Sequence, residues 1–373
     1  MKKILDKNVV HSDLTGVEEI EIVHPAIALS RDEMNVESIK SFTVVNSNHW
    51  YYSSDDGALY TRDKKTLIRC PVSKEGVIEI PEGVEEIEYQ AFWRCRKITR
   101  VKFPSTLKNI NSEAFASCSS LKDIEFNSEI QSLGSFLKNS VFFGCNSLIN
   151  LKLPNQIRYI GKNSFSQCEN LKYVELNEGL ECIYDYAFYL DDIESVTLPD
   201  SLIGIGYRAF SHTKELRSSH YIPGTIESCT SYMTTTGFVK LNIAGNEIYI
   251  PRHVTKEMAV FIENNILSDN YNIEHFIYKK VDDIFVKQYI AFQGYKKEKN
   301  DKLEAYLRRC AKSFLLNLLN NNYEKDLIQF IDLHIASKYT LKNFLPLCKD
   351  NILISAKIMN ELQNAKHGIS FSI

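Results

Sequence analysis

The stretch PNQIRYIGKNSFSQCENLKYVEL, residues 154–176, contains one unit of a pattern that returns along this chain of 373 residues. Its centre is Phe165, and Cys168 follows three places later. The phenylalanine recurs at steps of 23, 27, 23, 23 and 22 residues, as Phe92, Phe115, Phe142, Phe165, Phe188 and Phe210. The first four are each followed three places later by a cysteine: Cys95, Cys118, Cys145 and Cys168. An internal repeat of about 23 residues therefore organises the middle of the chain.

Each unit also carries a short alternating segment and a closing aliphatic pair. Alternation of apolar and polar residues predicts a short strand with one buried face. The alternating segments are residues 101–103, 124–126, 151–153, 174–176 and 196–198. One unit cannot bury its own apolar residues, so neighbouring units must stack and share a core. The pattern predicts an α/β repeat fold, a leucine-rich-repeat solenoid, in which the phenylalanine, cysteine and aliphatic columns point inward.

Proline, glycine and one insertion mark the turns of the repeat. Three prolines follow the predicted strands, where the chain turns and an N–H can be spared: Pro104, Pro154 and Pro199. Glycine or asparagine follows the closing aliphatic residue in four units, which predicts a positive φ there: Asn111, Gly134, Gly161 and Gly206. The 27-residue step holds four extra residues near 135–138, which we interpret as a surface bulge.

The unit L-P-x-x-I-x-x-I-G-x-x-A-F-x-x-C-x-x-L-x-x-V-x-L resembles the BspA-like leucine-rich-repeat family over residues 76–228. The segment from Tyr52 to Pro71 is similar to a hairpin insertion found between repeats of that family, with His49 in place of its usual leading asparagine. The resemblance implies a solenoid that binds proteins or cell surfaces. Many members are secreted, so it also implies an alternative role as a surface adhesin or matrix-binding protein.

The two ends of the chain differ from the central repeats. Residues 1–75 are predicted to form degenerate repeats and a hairpin cap, and 76–228 the solenoid. Residues 229–253 are interpreted as a linker with a closing hairpin, because Ala244-Gly245-Asn246 joins two alternating runs. Residues 254–373 show helical periodicity and predict an all-α domain of helical pairs. Its predicted helices cover 256–267, 273–292, 303–319 and 327–335, then one capped by Thr340 and one around Ile358, with an exposed loop and helix start at 296–302.

Composition narrows the choice of partners and of compartment. The net charge of −3 favours neither nucleic acid nor an anionic membrane, and no apolar run is long enough to span a bilayer. Nine cysteines without a compact framework fit free thiols in a reducing compartment. Residues 1–7 contain no apolar segment of a secretion signal, so we expect a cytoplasmic protein.

The sequence shows no motif that predicts a catalytic, cofactor-binding or metal-binding site. The four stacked cysteines have parallel side-chain directions and do not converge on one point, as zinc ligands must. Buried packing therefore explains them better. The acidic pairs Asp55-Asp56 and Asp191-Asp192 are interpreted as turn residues. A hydrolase with a cryptic triad is the remaining enzymatic alternative, although the chain shows no nucleophile-elbow motif.

The outward strand positions are the candidate binding residues. Between the buried strand residues stand Lys102, Glu125, Lys152 and Glu175, which should form a column of alternating charge; beside them stand Arg100, Asp123, Asn150 and Tyr173. Mutual neutralisation and a polar binding face both remain open as explanations. The aromatic run 49–52 is a second candidate, for cap packing or for a surface patch. The sequence thus favours a non-enzymatic scaffold that binds a protein partner through this face, the helical domain, or both.

Overall fold

A computed structural model describes residues 1–5, 16–23, 38–45, 48, 50–126, 130–134, 139–189, 191–230, 237–255, 259, 262 and 284–364. These residues divide into two compact units. Unit 1 holds residues 1–234 and 239–248, and unit 2 holds 235–238 and 249–373. The predicted helix 256–267 and the first part of 273–292 fall largely outside the described residues, as does the predicted bulge at 135–138.

Unit 1 begins with three parallel strands that continue the repeat pattern upstream. They are β1 (Lys2–Leu5), β2 (Glu19–Ile22) and β3 (Ser41–Val44). An antiparallel meander follows, and it confirms the hairpin insertion expected near residues 52–71. Its strands are β4 (Tyr51–Ser53), β5 (Leu59–Thr61) and β6 (Thr66–Arg69).

Two parallel ladders of strands then run along the solenoid. We call the ladder of longer strands the strand face: β7 (Glu75–Glu79), β9 (Lys97–Lys102), β11 (Asp123–Glu125), β13 (Asn150–Lys152), β15 (Tyr173–Glu175), β17 (Ser195–Thr197) and β19 (Glu215–Ser218). We call the ladder of two-residue strands the second face: β8 (Glu86–Ile87), β10 (Asn109–Ile110), β12 (Ser132–Leu133), β14 (Tyr159–Ile160), β16 (Cys182–Ile183) and β18 (Gly204–Ile205). The prediction of a solenoid is confirmed.

The phenylalanine column forms a continuous stack of rings inside the solenoid. All six rings are fully buried. Successive ring centroids lie 4.6, 5.2, 5.3, 5.3 and 5.1 Å apart, and no neighbouring pair is inclined by more than 14°. These spacings lie within the range for stacked aromatic pairs, so each ring contacts the rings of both neighbouring turns.

Positive φ angles occur beside the phenylalanine rather than at the glycines. The residue two places before each phenylalanine has a φ between 54° and 59°: Gln90, Glu113, Ser140, Asn163, Tyr186 and Arg208. The prediction of a positive φ holds for Gly134, at 80°, and is wrong for Gly161, Gly206 and Asn111. Gly206 has another cause, since a Cβ there would lie 2.3 Å from the backbone nitrogen of Asp185.

The cysteine column is buried, as predicted, and its thiols are hydrogen-bond donors. Cys118 Sγ donates to the carbonyl oxygen of Phe92 at 3.1 Å, and Cys145 Sγ donates to that of Phe115 at 3.4 Å. Burial raises the pKa of both thiols, so they remain protonated and can donate. All nine cysteines are free. The column therefore combines a small apolar volume with one polar function.

Asp191 occupies the cysteine position of the next turn. The interpretation of Asp191 as a turn residue is wrong, because its side chain is fully buried. Its Oδ1 accepts a hydrogen bond from the backbone nitrogen of Cys168 at 2.9 Å, and its Oδ2 has no hydrogen-bond partner among the described residues. Burial raises the pKa of this carboxyl well above its usual range.

A hairpin follows the last repeat. The short helix α1 (Thr225–Cys229) precedes β20 (Phe238–Ile243) and β21 (Asn246–Pro251). Lys240–Ile243 of β20 pair in parallel with β19 and add a further rung to the strand face. Ala244 and Gly245 have φ angles of 52° and 81°, as a two-residue hairpin turn with both central residues in the left-handed region requires.

The described part of unit 2 contains helices that match the predictions from 284 onward. They are α2 (Ile284–Glu298), α3 (Asp301–Asn320), α4 (Glu324–Asp332), α5 (Lys338–Phe344), a 3-10 turn (Leu345–Cys348) and α6 (Ile352–Asn364). Phe292, Phe314 and Phe330, one each from α2, α3 and α4, meet edge to face at 5.0–5.5 Å and form the centre of the helical core.

The exposed loop and helix start expected at 296–302 are found, since α3 begins at Asp301, but the loop is only Lys299 and Asn300 because α2 continues through Glu298 and the Asn300 side chain caps α3. One local prediction in unit 2, the cap of α5, is wrong. Ser337, rather than Thr340, caps α5, and its hydroxyl accepts from the backbone nitrogen of Thr340 at 3.1 Å. The sequence offered two hydroxyl residues three places apart, and the earlier one begins the helix.

Replacing Phe165 by alanine should destabilise unit 1 by about 3–5 kcal/mol, because the change opens a cavity between two stacked rings. Tyr173→Ala is the matched control, since Tyr173 is 60% exposed and its loss should change the free energy of unfolding by about 0.5 kcal/mol or less. Denaturation by urea, followed by circular dichroism, measures both. Equal losses in the two variants would contradict a stabilising ring stack.

Asp191→Asn should stabilise the protein at neutral pH and have a smaller effect near pH 4. The folded-state pKa of Asp191 is raised, so its favourable protonated form is fully populated below the unfolded-state pKa of about 3.9. That contribution is lost as the pH rises through the folded-state pKa. The gain at neutral pH should be about 1–3 kcal/mol. Melting curves from pH 4 to 8 test this against Asp192→Asn, which removes the exposed neighbouring carboxylate; parallel pH profiles in both variants would refute it.

Candidate interaction surfaces

The strand face presents the predicted binding residues in two outward columns. Arg100, Asp123, Asn150 and Tyr173 form the first column, and Lys102, Glu125, Lys152 and Glu175 form the second. Inward residues alternate with them, and Val101, Leu151 and Val174 are buried. The alternation predicted from the sequence therefore places all eight side chains on one side of the sheet.

The first group of these residues lies on β9 and β11. Asp123 is paired with Arg100 and Glu125 with Lys102 in the backbone register. Arg100 Nε lies 2.8 Å from Asp123 Oδ2, and its Nη2 lies 3.2 Å from Glu125 Oε2. Lys102 Nζ is 2.7 Å from Glu79 Oε1 on the preceding strand β7. One arginine thus holds both carboxylates, and Lys102 pairs in the opposite direction from the one expected.

The ion pair of Lys102 and Glu79 changes the pKa of both residues. The hydrogen bond from the ammonium holds the pKa of Glu79 below its usual range, and the same bond raises the pKa of Lys102. Both groups therefore stay ionised across the neutral pH range, and this part of the face carries paired charges.

The second group lies on β13 and β15. Asn150 is paired with Tyr173, and Lys152 is paired with Glu175. Lys152 Nζ lies 2.6 Å from Glu175 Oε1, and both side chains are exposed. Tyr173 is 60% exposed and lies between Asn150 and Ser195 in the register. An aromatic ring with a hydroxyl tip therefore projects from an otherwise charged and polar surface.

The two groups do not form one uninterrupted ladder. Among the described residues, no backbone pairing joins β11 to β13, and the two strands belong to separate sheets. The prediction of a single charge column is wrong at this point. The 27-residue step falls between these strands, and the backbone pairing of the strand face is interrupted there, whereas the ring stack continues from Phe115 to Phe142 at 5.2 Å.

The second face carries ion pairs that were not predicted from the sequence. Lys65 Nζ and Lys108 Nζ lie 2.8 and 2.6 Å from the two carboxylate oxygens of Glu85. These two ammonium groups lower the pKa of Glu85 to about 2. Further along, Glu181 pairs with Arg158, and it accepts a hydrogen bond from the Tyr159 hydroxyl at 2.7 Å. The available signal was the polar residue that recurs between the closing aliphatic residues of each unit.

The aromatic run near residue 50 contributes to both of its predicted roles. Tyr51 is half-buried and packs against the N-terminal core. Tyr52 lies 6.4 Å from Tyr60, ring to ring, and Lys64 Nζ lies 4.1 Å from its ring centroid. Trp50 is 65% exposed, and His49 lies outside the described residues.

The described residues contain no group of three or more histidine, cysteine or acidic side chains arranged to hold a metal ion. No helix in the described part of the chain is long and apolar enough to cross a membrane.

Stacked parallel strands, a period of about 23 residues and shared inward columns define a leucine-rich-repeat protein. A family model described as the BspA type leucine rich repeat region matches six copies, over residues 72–137 and 135–274. The chain belongs to this family. The resemblance noted from the sequence is therefore confirmed.

Solved structures of bacterial leucine-rich-repeat proteins are similar to the chain. One, from Eubacterium ventriosum, is 19% identical with a TM-score of 0.44, and the match covers 62% of this chain and 63% of that one. A leucine rich cell surface protein from Faecalibacterium prausnitzii is 21% identical with a TM-score of 0.37, over 56% of this chain and 61% of that one. The chain thus spans less than two thirds of either protein. A search of curated proteins found no match.

Arg100→Ala should change the free energy of unfolding by less than about 1 kcal/mol, because exposed ion pairs contribute little to stability. The Arg100 side chain is 44% exposed, so solvent screens its attraction to Asp123 and Glu125. Chemical denaturation in low and high salt measures the effect. A loss of several kcal/mol would show that this surface is part of the structural core.

Proposed function

We propose that this protein is a non-enzymatic scaffold that binds a protein partner through its strand face. The observation that carries the proposal is the exposed Tyr173 on a sheet whose surrounding charges are already paired, as Lys152 and Glu175 are. A partner can cover paired charges without leaving a lone charge buried. Tyrosine and arginine are also the side chains that most often dominate binding energy at protein interfaces.

The regular core supports this role because it fixes the outward side chains. Each exposed residue on the strand face alternates with a buried one, so its backbone is held by the solenoid. Asn150 and Tyr173 are adjacent in the register and lie one strand spacing apart. A binding surface on such a scaffold loses little conformational entropy when the partner binds.

The helical unit offers a second contact surface for the same function. Ile352, Leu353 and Met359 on α6 are 84%, 60% and 49% exposed. Ile352 and Met359 are seven residues apart, which places them on the same side of the helix. Exposed apolar side chains grouped on one helix face are typical of protein-binding surfaces. The strand face remains the primary site in this proposal, because it carries the exposed Tyr173 among paired charges and also, three strands away, the exposed Arg100.

The free thiols favour the proposed role as an intracellular scaffold over the alternative role as a surface adhesin. All nine cysteines are free, as is usual in a reducing compartment. Fractionation of the native cells separates the two alternatives. Protein recovered only with the cytosol supports the intracellular scaffold, whereas protein accessible to external protease supports the adhesin. A hydrolase would instead require a nucleophile and a base converging in a pocket.

The strand-face proposal can be tested with a double variant that preserves the ion pair. Lys152→Glu with Glu175→Lys rebuilds the salt bridge in the opposite direction, so the fold should be retained while the surface potential is inverted. Combined with Tyr173→Ala, it should reduce the capture of specific partners from native cells at least tenfold. The measurement is quantitative mass spectrometry of proteins retained by each variant.

The matched control swaps an ion pair that lies elsewhere on unit 1. Lys40 Nζ and Glu18 Oε1 are also 2.6 Å apart and exposed. Lys40→Glu with Glu18→Lys should leave the captured partners unchanged. If the strand-face variant retains every partner that the control retains, the strand face is not the binding site.

A further inference from the structure

A polar groove runs along the stack beside the second face. Two adjoining cavities, of about 690 and 500 Å³, both reach Gln131. The first extends over the following turns to Ser201 and Ile203, and the second extends back to Ser105 and Thr106. Together they cross five successive turns of the solenoid. With turns about 4.8 Å apart, four spacings make a groove roughly 20 Å long.

The groove is lined mainly by uncharged hydrogen-bonding groups. Gln131, Asn155 and Gln156 contribute amides that can donate and accept at neighbouring positions. Arg158 and Glu181, the charged residues of the larger cavity, form an ion pair with each other. In the smaller cavity, Lys108 pairs with Glu85, which it shares with Lys65. The groove therefore has many donors and acceptors and only one excess positive charge, at the end that holds Lys108.

One aromatic ring in the groove has a fixed position. Tyr159 lines the smaller cavity, and its hydroxyl donates to Glu181 Oε2 at 2.7 Å, so its orientation is tied to the larger cavity. At the far end Ile203 is 67% exposed and adds an apolar edge. A ligand that fits both features has flat apolar patches alternating with polar groups.

The chemistry of the lining discriminates among ligand classes. A nucleic acid or an acidic peptide requires several excess positive charges along the groove, whereas the lining supplies one, at the end that holds Lys108. A basic peptide requires excess negative charge, and the lining supplies none. An apolar ligand would leave the amides of the lining without hydrogen-bond partners. An uncharged chain of hydroxyl-bearing rings matches paired donors and acceptors, and the apolar faces of its rings can pack on Tyr159 and Ile203.

The spacing of the groove also fits such a chain. Equivalent outward positions of successive turns lie one solenoid step apart, and the ring stack shows this step to be 4.6–5.3 Å. In the groove these positions hold Gln131, Arg158, Glu181 and Ile203. One ring of an extended sugar chain covers a similar length. Successive sugars can therefore meet equivalent positions of successive turns, although the side chains differ from turn to turn.

We propose that the groove bounded by Gln131, Gln156, Arg158, Tyr159 and Ile203 binds a linear, uncharged oligosaccharide of about four sugar units. Ligand hydroxyls bond to the amides and to the Arg158–Glu181 pair. Water fills the open side of the groove and completes the remaining hydrogen bonds. This site is separate from the strand face, and its occupation does not depend on a protein partner there.

Calorimetry with the full chain tests the proposal directly. The probes are four neutral tetrasaccharides, built from β-1,4-glucose, β-1,4-N-acetylglucosamine, α-1,4-glucose and β-1,4-mannose. At least one should bind with a dissociation constant in the micromolar to low millimolar range. Its affinity should not change with salt, because the ligand carries no charge. A tetragalacturonate of equal length should bind more weakly.

Variants locate the site. Gln131→Ala and Gln156→Ala remove exposed amides, and each should weaken binding about fivefold through the loss of one or two hydrogen bonds. Asn150→Ala removes an exposed amide from the strand face and is the matched control. Circular dichroism confirms that each variant is folded.

Three results would overturn the proposal. The first is that none of the four tetrasaccharides binds at 10 mM, roughly the concentration at which a single weak site becomes measurable. Binding that survives in both groove variants, or that is lost only in Asn150→Ala, would place the ligand elsewhere. Tighter binding of an uncharged Ser- and Asn-rich peptide than of any sugar would assign the groove to a peptide. Protein capture through the strand face is unaffected by these outcomes.

Discussion

The stack of six phenylalanine rings is the interaction on which the rest of unit 1 depends. It fixes the distance between turns at 4.6–5.3 Å, which is close to the spacing at which parallel strands can hydrogen-bond. The backbone follows the rings closely: the nitrogen of Phe165 donates to the carbonyl oxygen of Ala187 in the next turn at 2.8 Å. Residues of positive φ beside each phenylalanine let the chain curve tightly around the ring. Both strand ladders therefore inherit their register from the same aromatic column.

The cysteine column shows how a tightly wound turn satisfies its own backbone. The carbonyl oxygen of Phe92 accepts from the backbone nitrogen of Cys95 at 3.0 Å, and the thiol of Cys118 adds a second hydrogen bond from the neighbouring turn. Alanine in place of this cysteine would remove the second bond. Asp191, at the equivalent position of a later turn, is buried and carries an oxygen that has no hydrogen-bond partner among the described residues. The pKa of this carboxyl is raised in consequence, because burial disfavours its charged form.

The sequence predicted those parts of the structure that repeat with a chemical signature. Phe165 and Cys168 were recognisable because the same residue types return at the same spacing, and the outward position of Lys152 followed from strand alternation. The residues of positive φ were not predictable, since Gln90, Asn163 and Tyr186 share no chemistry. The break between β11 and β13 depends on how an extra loop alters pairing between distant segments. The partner of Lys102 was also missed, because an exposed side chain can pair with either neighbouring strand.

On both outer faces of the solenoid, charged side chains form ion pairs with oppositely charged residues of neighbouring turns. Arg100 pairs across one turn on the strand face, and Arg158 does so on the second face. Such pairs form because equivalent positions of successive turns lie close enough for opposite charges to meet, whereas like charges there would repel. A solenoid that neutralises its own columns has little long-range attraction for charged molecules. If the two faces bind as proposed, recognition comes from side chains at short range: Tyr173 on the strand face and the amides around Gln131 on the second face. Under both proposals, the regular core fixes the positions of the outward side chains. The residues that differ from turn to turn at those positions determine which ligand is bound.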